Sequence, residues 1–153
     1  MTMPDWNQEI HDSPTGWVAD HIRRYVETDG ESGQRWQGTD TLLLTTVGRR
    51  TGKLRRTALI YGQDADRYII VGSKGGSHHH PQWYLNLLET PEVHLQDGAQ
   101  KWFATARPAT DEERPRLWAL MSSIFPQYDV YQQKTERKIP LVILEPERAE
   151  ETT

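Results

Sequence analysis

Two short apolar runs dominate the pattern of the chain, residues 41–47 (TLLLTTV) and 139–144 (IPLVIL). Both are too short for helices and rich in β-formers, so they predict strands. Residues 67–73 (RYIIVGS) read the same way, as does 57–61, which returns from a turn at Thr51-Gly52. Residues 63–66 read as another turn. Residues 92–96 and 100–107 form a hairpin around Asp97-Gly98. Helical spacing appears in three places. Trp17, Val18, His21, Ile22, Tyr25 and Val26 share one face of a helix over 14–29, with Ser13 as N-cap and Pro14 at its first position. Residues 81–89 form a short second helix. A third begins at Thr110, where Glu113 completes a capping box, and runs to Ser123. Pro115 falls in its second turn, where it should remove a hydrogen bond. The expected fold is mainly β (α+β): about six mostly antiparallel strands closing into a small barrel, with flanking helices. Residues 1–12 are expected to be a flexible terminus, 13–146 a single domain, and 147–153 an acidic tail.

Composition narrows the chemistry. Only 35% of the 153 residues are hydrophobic, but six Trp and six Tyr supply large surfaces for a core. The absence of cysteine removes disulfides and thiolate catalysis. No apolar run approaches a membrane span, and residues 1–14 lack the pattern of a secretory leader, so a cytoplasmic location is expected. The formal net charge is −4. Against it, residues 45–62 (TTVGRRTGKLRRTALIYG) hold Arg49, Arg50, Lys53, Arg55 and Arg56 and no acid. A basic corner on an acidic chain is suited to phosphate or carboxylate oxygens, which arginine grips bidentately. A solvated hairpin whose cations guard an edge strand would carry the same residues.

Three further segments bear on function. Ser73-Lys74-Gly75-Gly76 follows a strand, and paired glycines let the backbone approach a ligand closely. Residues 81–87 (PQWYLNL) place two aromatics at a helix start. Residues 125–132 (FPQYDVYQ) set Tyr128 and Tyr131 three apart, on one helical face. Tyrosine hydroxyls at a pocket can hydrogen-bond or protonate a substrate. Core packing is the competing account of each aromatic. His78-His79-His80 are consecutive and project divergently, so no metal site is expected. The dinucleotide GxGxxG and the GxxxxGK[ST] loop are both missing.

In order along the chain, TTVGRRTGKLRR, SKGG, PQWYLNL, ARPATDEER and FPQYDVYQQKTERKIP resemble the deazaflavin (coenzyme F420)-dependent nitroreductase family. The resemblance spans roughly residues 41–146 and leaves the first helix outside. It implies a split β-barrel and an F420H2-dependent oxidoreductase that passes a hydride to an electron-poor acceptor: an activated alkene or enone, a quinone or a nitro compound. It implies that Arg49, Arg50, Thr51, Lys53 and Arg55 hold the anionic cofactor tail. Ser73, Lys74, Gly75 and Gly76 would line the deazaflavin or its ribityl chain, with Pro81, Trp83 and Tyr84 flanking the pocket. Tyr128, Tyr131 and Ser73 match the residues implicated in chemistry, Tyr128 as proton donor with Ser73 orienting it. Phe125 stands where the nitroimidazole-activating member has a tyrosine, and Ala58 where it has a proline. The implied partner is a small-molecule electron acceptor.

Two other classes stand beside this reading. One keeps the barrel and binds FMN or haem, as relatives of pyridoxamine-phosphate oxidases do. The other is a nucleic-acid module using the basic hairpin, against which the acidic net charge and the lack of a second basic stripe both argue. A membrane-surface role is weak, since Arg23 and Arg24 face Asp20, Glu27 and Asp29 on the first helix. The sequence leaves oligomeric state open, and whether the first helix covers the pocket.

Overall fold

Alternation along strand β3 (Thr39–Val47) shows how the sheet divides the molecule. Leu42 and Leu44 turn inward to the barrel core, while Leu43 turns outward beneath Ile22 and Tyr25 of the first helix. Burying each such leucine contributes about 1.5–3 kcal/mol. The computed structural model describes residues 4–14, 16–36 and 38–150. Residues 1–3 of the expected flexible terminus, Thr15 of the expected first helix and 151–153 of the expected tail lie outside them.

Around β3 the described chain runs β1 (Ile10–Asp12), α1 (Gly16–Glu27), β2 (Arg35–Trp36), then β4 (Leu54–Ile60), β5 (Gly62–Asp64) and β6 (Arg67–Val71). A 3-10 turn (Lys74–Gly76) and α2 (Gln82–Glu89) lead to the hairpin β7 (Glu92–Asp97) and β8 (Gln100–Pro108). Then come α3 (Arg114–Ile124), α4 (Gln127–Gln133) and β9 (Leu141–Ala149). The sheet order is β1-β4-β3-β7-β8-β9-β6-β5, with β2 paired to β3. Every pairing is antiparallel except β1 with β4. Tyr68 and Ile70 of β6 and Val142 and Leu144 of β9 join Leu42 and Leu44 inside. Ile69, Val71, Leu141 and Ile143 face outward, under Leu117 and Met121 of α3 and Tyr128 of α4. This is the split-barrel, mixed α+β architecture.

The chain forms more strands than the expected six. β1 lies in the stretch expected to be flexible. It pairs in parallel with β4, and Asp12 grips the Arg56 guanidinium at 2.5 and 3.1 Å. β4 begins at Leu54 rather than 57, because Arg55 and Arg56 pair with Thr46 and Thr45 across the sheet. Gln63 and Asp64, at the start of the turn expected over 63–66, belong to β5, and β6 stops at Val71, leaving Ser73 in the following loop. α1 begins at Gly16, since Ser13 donates its N–H to Arg56 O and continues the strand pairing. The capping box at Thr110 and Glu113 is present, with bonds of 2.9 and 3.2 Å. It closes a turn ahead of α3, so Pro115 lands in the first turn of that helix, where no intrahelical N–H is needed. Phe125 then breaks the chain direction, and Tyr128 and Tyr131 sit on a separate helix, α4. The loop after α1 packs on the β7–β8 turn so closely that a Cβ on Gly30 would lie 2.5 Å from Gly98 Cα.

Candidate functional site

The basic corner is built on the β3–β4 turn and rests on α2. Gln82 and Asn86, four residues apart on that helix, both turn toward Arg49. Asn86 Oδ1 accepts from the Arg49 N–H (3.2 Å) and Nη1 (2.9 Å), and Gln82 Oε1 accepts from Nη2 (2.8 Å). Asn86 is buried and donates in turn to Thr46 Oγ1 (3.3 Å). Arg49 is therefore held in one orientation before any ligand arrives. Arg50 and Arg55 are exposed, and no hydrogen bond or ion pair engages either guanidinium among the described residues. Together with Gly48, Thr51, Arg56, Thr57 and the strap 11–14, these residues enclose a chamber of about 440 Å³.

Trp83 forms part of the wall of that chamber and also of a second one of about 340 Å³. The second is mostly apolar. Ala58, Leu59, Ile60 and Val71 come from the sheet, Pro81 from the start of α2, and Trp17, Val18 and His21 from α1. Ser73, Lys74 and Gly75 form one side, and Phe125, Tyr128 and Tyr131 another. Trp17 stacks on Trp36, with ring centroids 5.9 Å apart, and Trp36 lies 6.4 Å from Phe125. Phe125 meets Tyr128 edge-on at 5.1 Å.

Tyr128 is 5% exposed, and its hydroxyl makes no hydrogen bond among the described residues. Burial pushes its pKa well above the ordinary 10.0, with the neighbouring Tyr131 adding to the shift, so it keeps its proton at neutral pH. Ser73 and Tyr128 line the same chamber, and no hydrogen bond joins them. Ser73 is right-handed, and Lys74, Gly75 and Gly76 follow with φ of 45, 62 and 84°. A right-handed residue followed by left-handed ones makes successive N–H groups converge, as in anion- and carbonyl-binding nests.

Of the residues singled out from sequence, Arg49, Arg50, Thr51 and Arg55 lie in the charged chamber. Ser73, Lys74, Gly75, Pro81, Tyr128 and Tyr131 lie in the apolar one, and Trp83 joins the two. Three fall outside. Lys53 is exposed at the hairpin and lines neither chamber. Gly76 is buried against α4, where a Cβ would sit 3.0 Å from Tyr131 O. Tyr84 packs on the His80 ring (4.9 Å) and the barrel core. Sequence reasoning missed Gln82 and Asn86, although their spacing within PQWYLNL marks one polar helix face. It also missed Trp36, which no local pattern ties to the site.

Both chambers suit a ligand with a planar apolar end and a polyanionic end. Cations at one end and partnerless hydroxyl and backbone groups at the other match the donor set that a deazaflavin with a phosphate and glutamate tail requires.

Comparison with known proteins bears on this arrangement. The family model described as F420H(2)-dependent quinone reductase matches residues 17–146, which takes in α1, outside the stretch that carried the resemblance in the sequence. An F420H(2)-dependent quinone reductase of Mycobacterium tuberculosis is 39% identical over 128 residues, covering 81% of this chain and 86% of its own length. A solved structure described as an F420-H2 dependent reductase is 40% identical, covering 69% of this chain and 93% of its own, with a TM-score of 0.64. Another, described as a domain-swapped dimer, is 39% identical and covers 87% of this chain and 100% of its own, with a TM-score of 0.68. The haem storage protein HutZ of Vibrio cholerae shares the fold at 19% identity and a TM-score of 0.57, covering 82% of this chain and 89% of its own.

Proposed function

The chain belongs to the F420H(2)-dependent quinone reductase family, and from that premise we propose how its two chambers divide the work of an F420H2-dependent reductase. The observation that carries the reading is Trp83, which lines both chambers and so sets a cationic and an apolar space side by side. Arg49, Arg50, Thr51 and Arg55 hold the anionic tail of F420. Ser73, Lys74, Gly75, Pro81 and Trp83 surround its ring system. When bound in reduced form, the deazaflavin supplies a hydride.

The residues of the chain then have three tasks. The aromatic side formed by Trp36, Phe125 and Tyr131 orients a planar acceptor and excludes water. Tyr128 holds a proton at its phenolic oxygen, aimed into a space with no competing protein acceptor, and places it against the oxygen that gains negative charge. Ser73 supplies a second polar contact from the loop that packs against α4. The acceptors we expect to react are quinones first, then activated enones, with nitroimidazoles slower because Phe125 offers no hydroxyl.

Titration of the purified protein with oxidised F420, followed by cofactor fluorescence with FMN as the comparison, tests the reading. Saturable F420 binding in the micromolar range or tighter, weak FMN binding, and oxidation of F420H2 by menadione are expected. Tight FMN binding without F420 binding would overturn it.

A further inference from the structure

Arg137 lies outside both chambers, in the loop between α4 and β9, yet its side chain is committed to one neighbour. Nε donates to Ser77 O (2.7 Å), Nη2 to Ser73 O (2.7 Å) and Nη1 to Gly72 O (3.1 Å). Nη1 also meets His80 Nδ1 at 3.1 Å. All of these groups belong to the segment 72–80, which carries Ser73, Lys74 and Gly75 to the apolar chamber. No carboxylate pairs with Arg137 among the described residues. Partial burial of a charge is costly unless hydrogen bonds compensate it, and here backbone carbonyls of the loop do so.

The loop needs such a clamp. Lys74 holds a left-handed φ of 45° without being glycine, and the two glycines after it are left-handed as well. Within the loop, only Gly76 N to Ser73 O (2.9 Å) and Ser77 N to Lys74 O (3.1 Å) close backbone bonds. The same Arg137 is tied to α4: Gln132 Nε2 donates to Arg137 O (2.8 Å), and Gln132 Oε1 accepts from Ile139 N–H (3.0 Å). α4 carries Tyr128 and Tyr131, and Gly76 packs beneath Tyr131 O.

We propose that Arg137 is a positioning residue that locks the Ser73–Gly76 loop to α4 and so sets the distance across the chamber between Ser73 and Tyr128. The proposal rests on the reading of that chamber as the reaction site. The planar fork of Arg137 meets carbonyls of three residues with three separate nitrogens, whereas a lysine would have to reach all three from a single atom. The clamp acts through other groups and touches no substrate.

Two variants, Arg137→Lys and Arg137→Gln, test it with two readouts. The first is amide hydrogen exchange of the protein without cofactor, which does not depend on any assigned activity. Exchange at Gly76 and Ser77, the bonded amides of the loop, should quicken about tenfold or more in Arg137→Gln, while β6 and β9 amides keep wild-type rates. The second is steady-state F420H2 oxidation by menadione. There kcat should fall about 10- to 100-fold with acceptor KM within about twofold, since misplacement acts on the reacting geometry. Arg137→Lys should fall between the two on both readouts. Should Arg137→Gln not fold, Arg137→Lys alone decides, through faster exchange confined to Gly76 and Ser77 together with lowered kcat. Wild-type exchange in the loop, wild-type kcat in both variants, or acceleration spread over the whole barrel would overturn the proposal. Failure of the wild-type protein itself to bind F420 would instead overturn the proposed function, and leave the exchange result readable.

Discussion

The molecule has two groups of buried tyrosines, and they are treated differently. Inside the barrel, Tyr61 and Tyr68 donate to the two oxygens of Asp97, each at 2.8 Å, and Gln34 adds a third bond at 2.7 Å. Tyr25, at the α1 face, accepts from Gly98 N–H (2.7 Å) and donates toward the carbonyls of Thr41 and Gln96. Every hydroxyl in this group is used. At the groove, Tyr128 is as buried as Tyr61, yet its hydroxyl has no partner among the described residues. In both groups burial raises the pKa. A perturbed pKa therefore does not separate structure from function here. What separates them is whether the polar atom is already satisfied: a hydroxyl left open to a cavity contributes little to the fold and stays available to a ligand.

The comparison predicts opposite failures. Tyr128→Phe should lower kcat for quinone reduction about 10²- to 10⁴-fold, with F420 affinity and thermal stability near wild type. Equal turnover would remove Tyr128 from the chemistry and place both groups on the structural side. Asp97→Ala should do the reverse. It strips partners from Tyr61, Tyr68 and Gln34, and should destabilise by about 3 kcal/mol, a fall in Tm of roughly 5–10 °C. Turnover per folded molecule should hold. A Tm unchanged within error would mean that water replaces the carboxylate and that the barrel group is not structural.

A similar contrast runs through the arginines. Arg49 is held by Gln82 and Asn86, and Arg56 by Asp12, while Arg50 and Arg55 lack partners among the described residues. Arg50→Ala and Arg55→Ala should each weaken F420 binding by about 1 kcal/mol, roughly fivefold in Kd, at low salt. The effect should shrink as salt rises. Unchanged affinity at low salt would mean that the tail lies elsewhere. The strap also matters here: Asp12 brings a carboxylate to the wall of the cationic chamber, so Asp12→Asn should tighten F420 binding slightly.

Much of this was legible along the chain. Short continuous apolar runs of β-formers marked β3, β6 and β9, because each is packed on both faces. Asp97-Gly98 marked the hairpin, because few residues take the left-handed turn. The ordered motifs named the walls of both chambers. β1 and β5 were missed because three-residue strands have no internal period and exist only through the partner they pair with. Lys53 lies off both chambers, and sequence proximity to four arginines says nothing of which way a turn residue faces. Tyr84 lies off both chambers because two adjacent residues of a helix project about 100° apart, and Trp83 takes the position that lines them. Arg137 escaped because its partners are backbone carbonyls some sixty positions earlier, which no residue type announces.

The smallest effect expected lies at high pH, and it reads both tyrosine groups at once. Tyr25 has its pKa pushed up to about 12, mainly by burial, against an ordinary 10.0 in the unfolded chain. Tyr61, Tyr68 and Tyr128 are raised in the same direction. A raised pKa means that the folded state holds a proton the unfolded state gives up more readily. The contribution of these groups to stability is therefore complete below pH 10 and is lost as pH climbs through 10 toward 12. Denaturant midpoints should be flat in this respect from neutral pH to about 9 and fall beyond 10. Tyr25→Phe and Tyr128→Phe should each flatten that alkaline fall, since each removes one titrating group. Only Tyr25→Phe should also lower the midpoint at pH 7, because only its hydroxyl is bonded to the fold. Turnover should likewise keep the Tyr128 proton throughout that neutral range. A neutral-pH loss in Tyr128→Phe as large as in Tyr25→Phe would show that the groove hydroxyl is held after all, and the distinction between the two groups would fail.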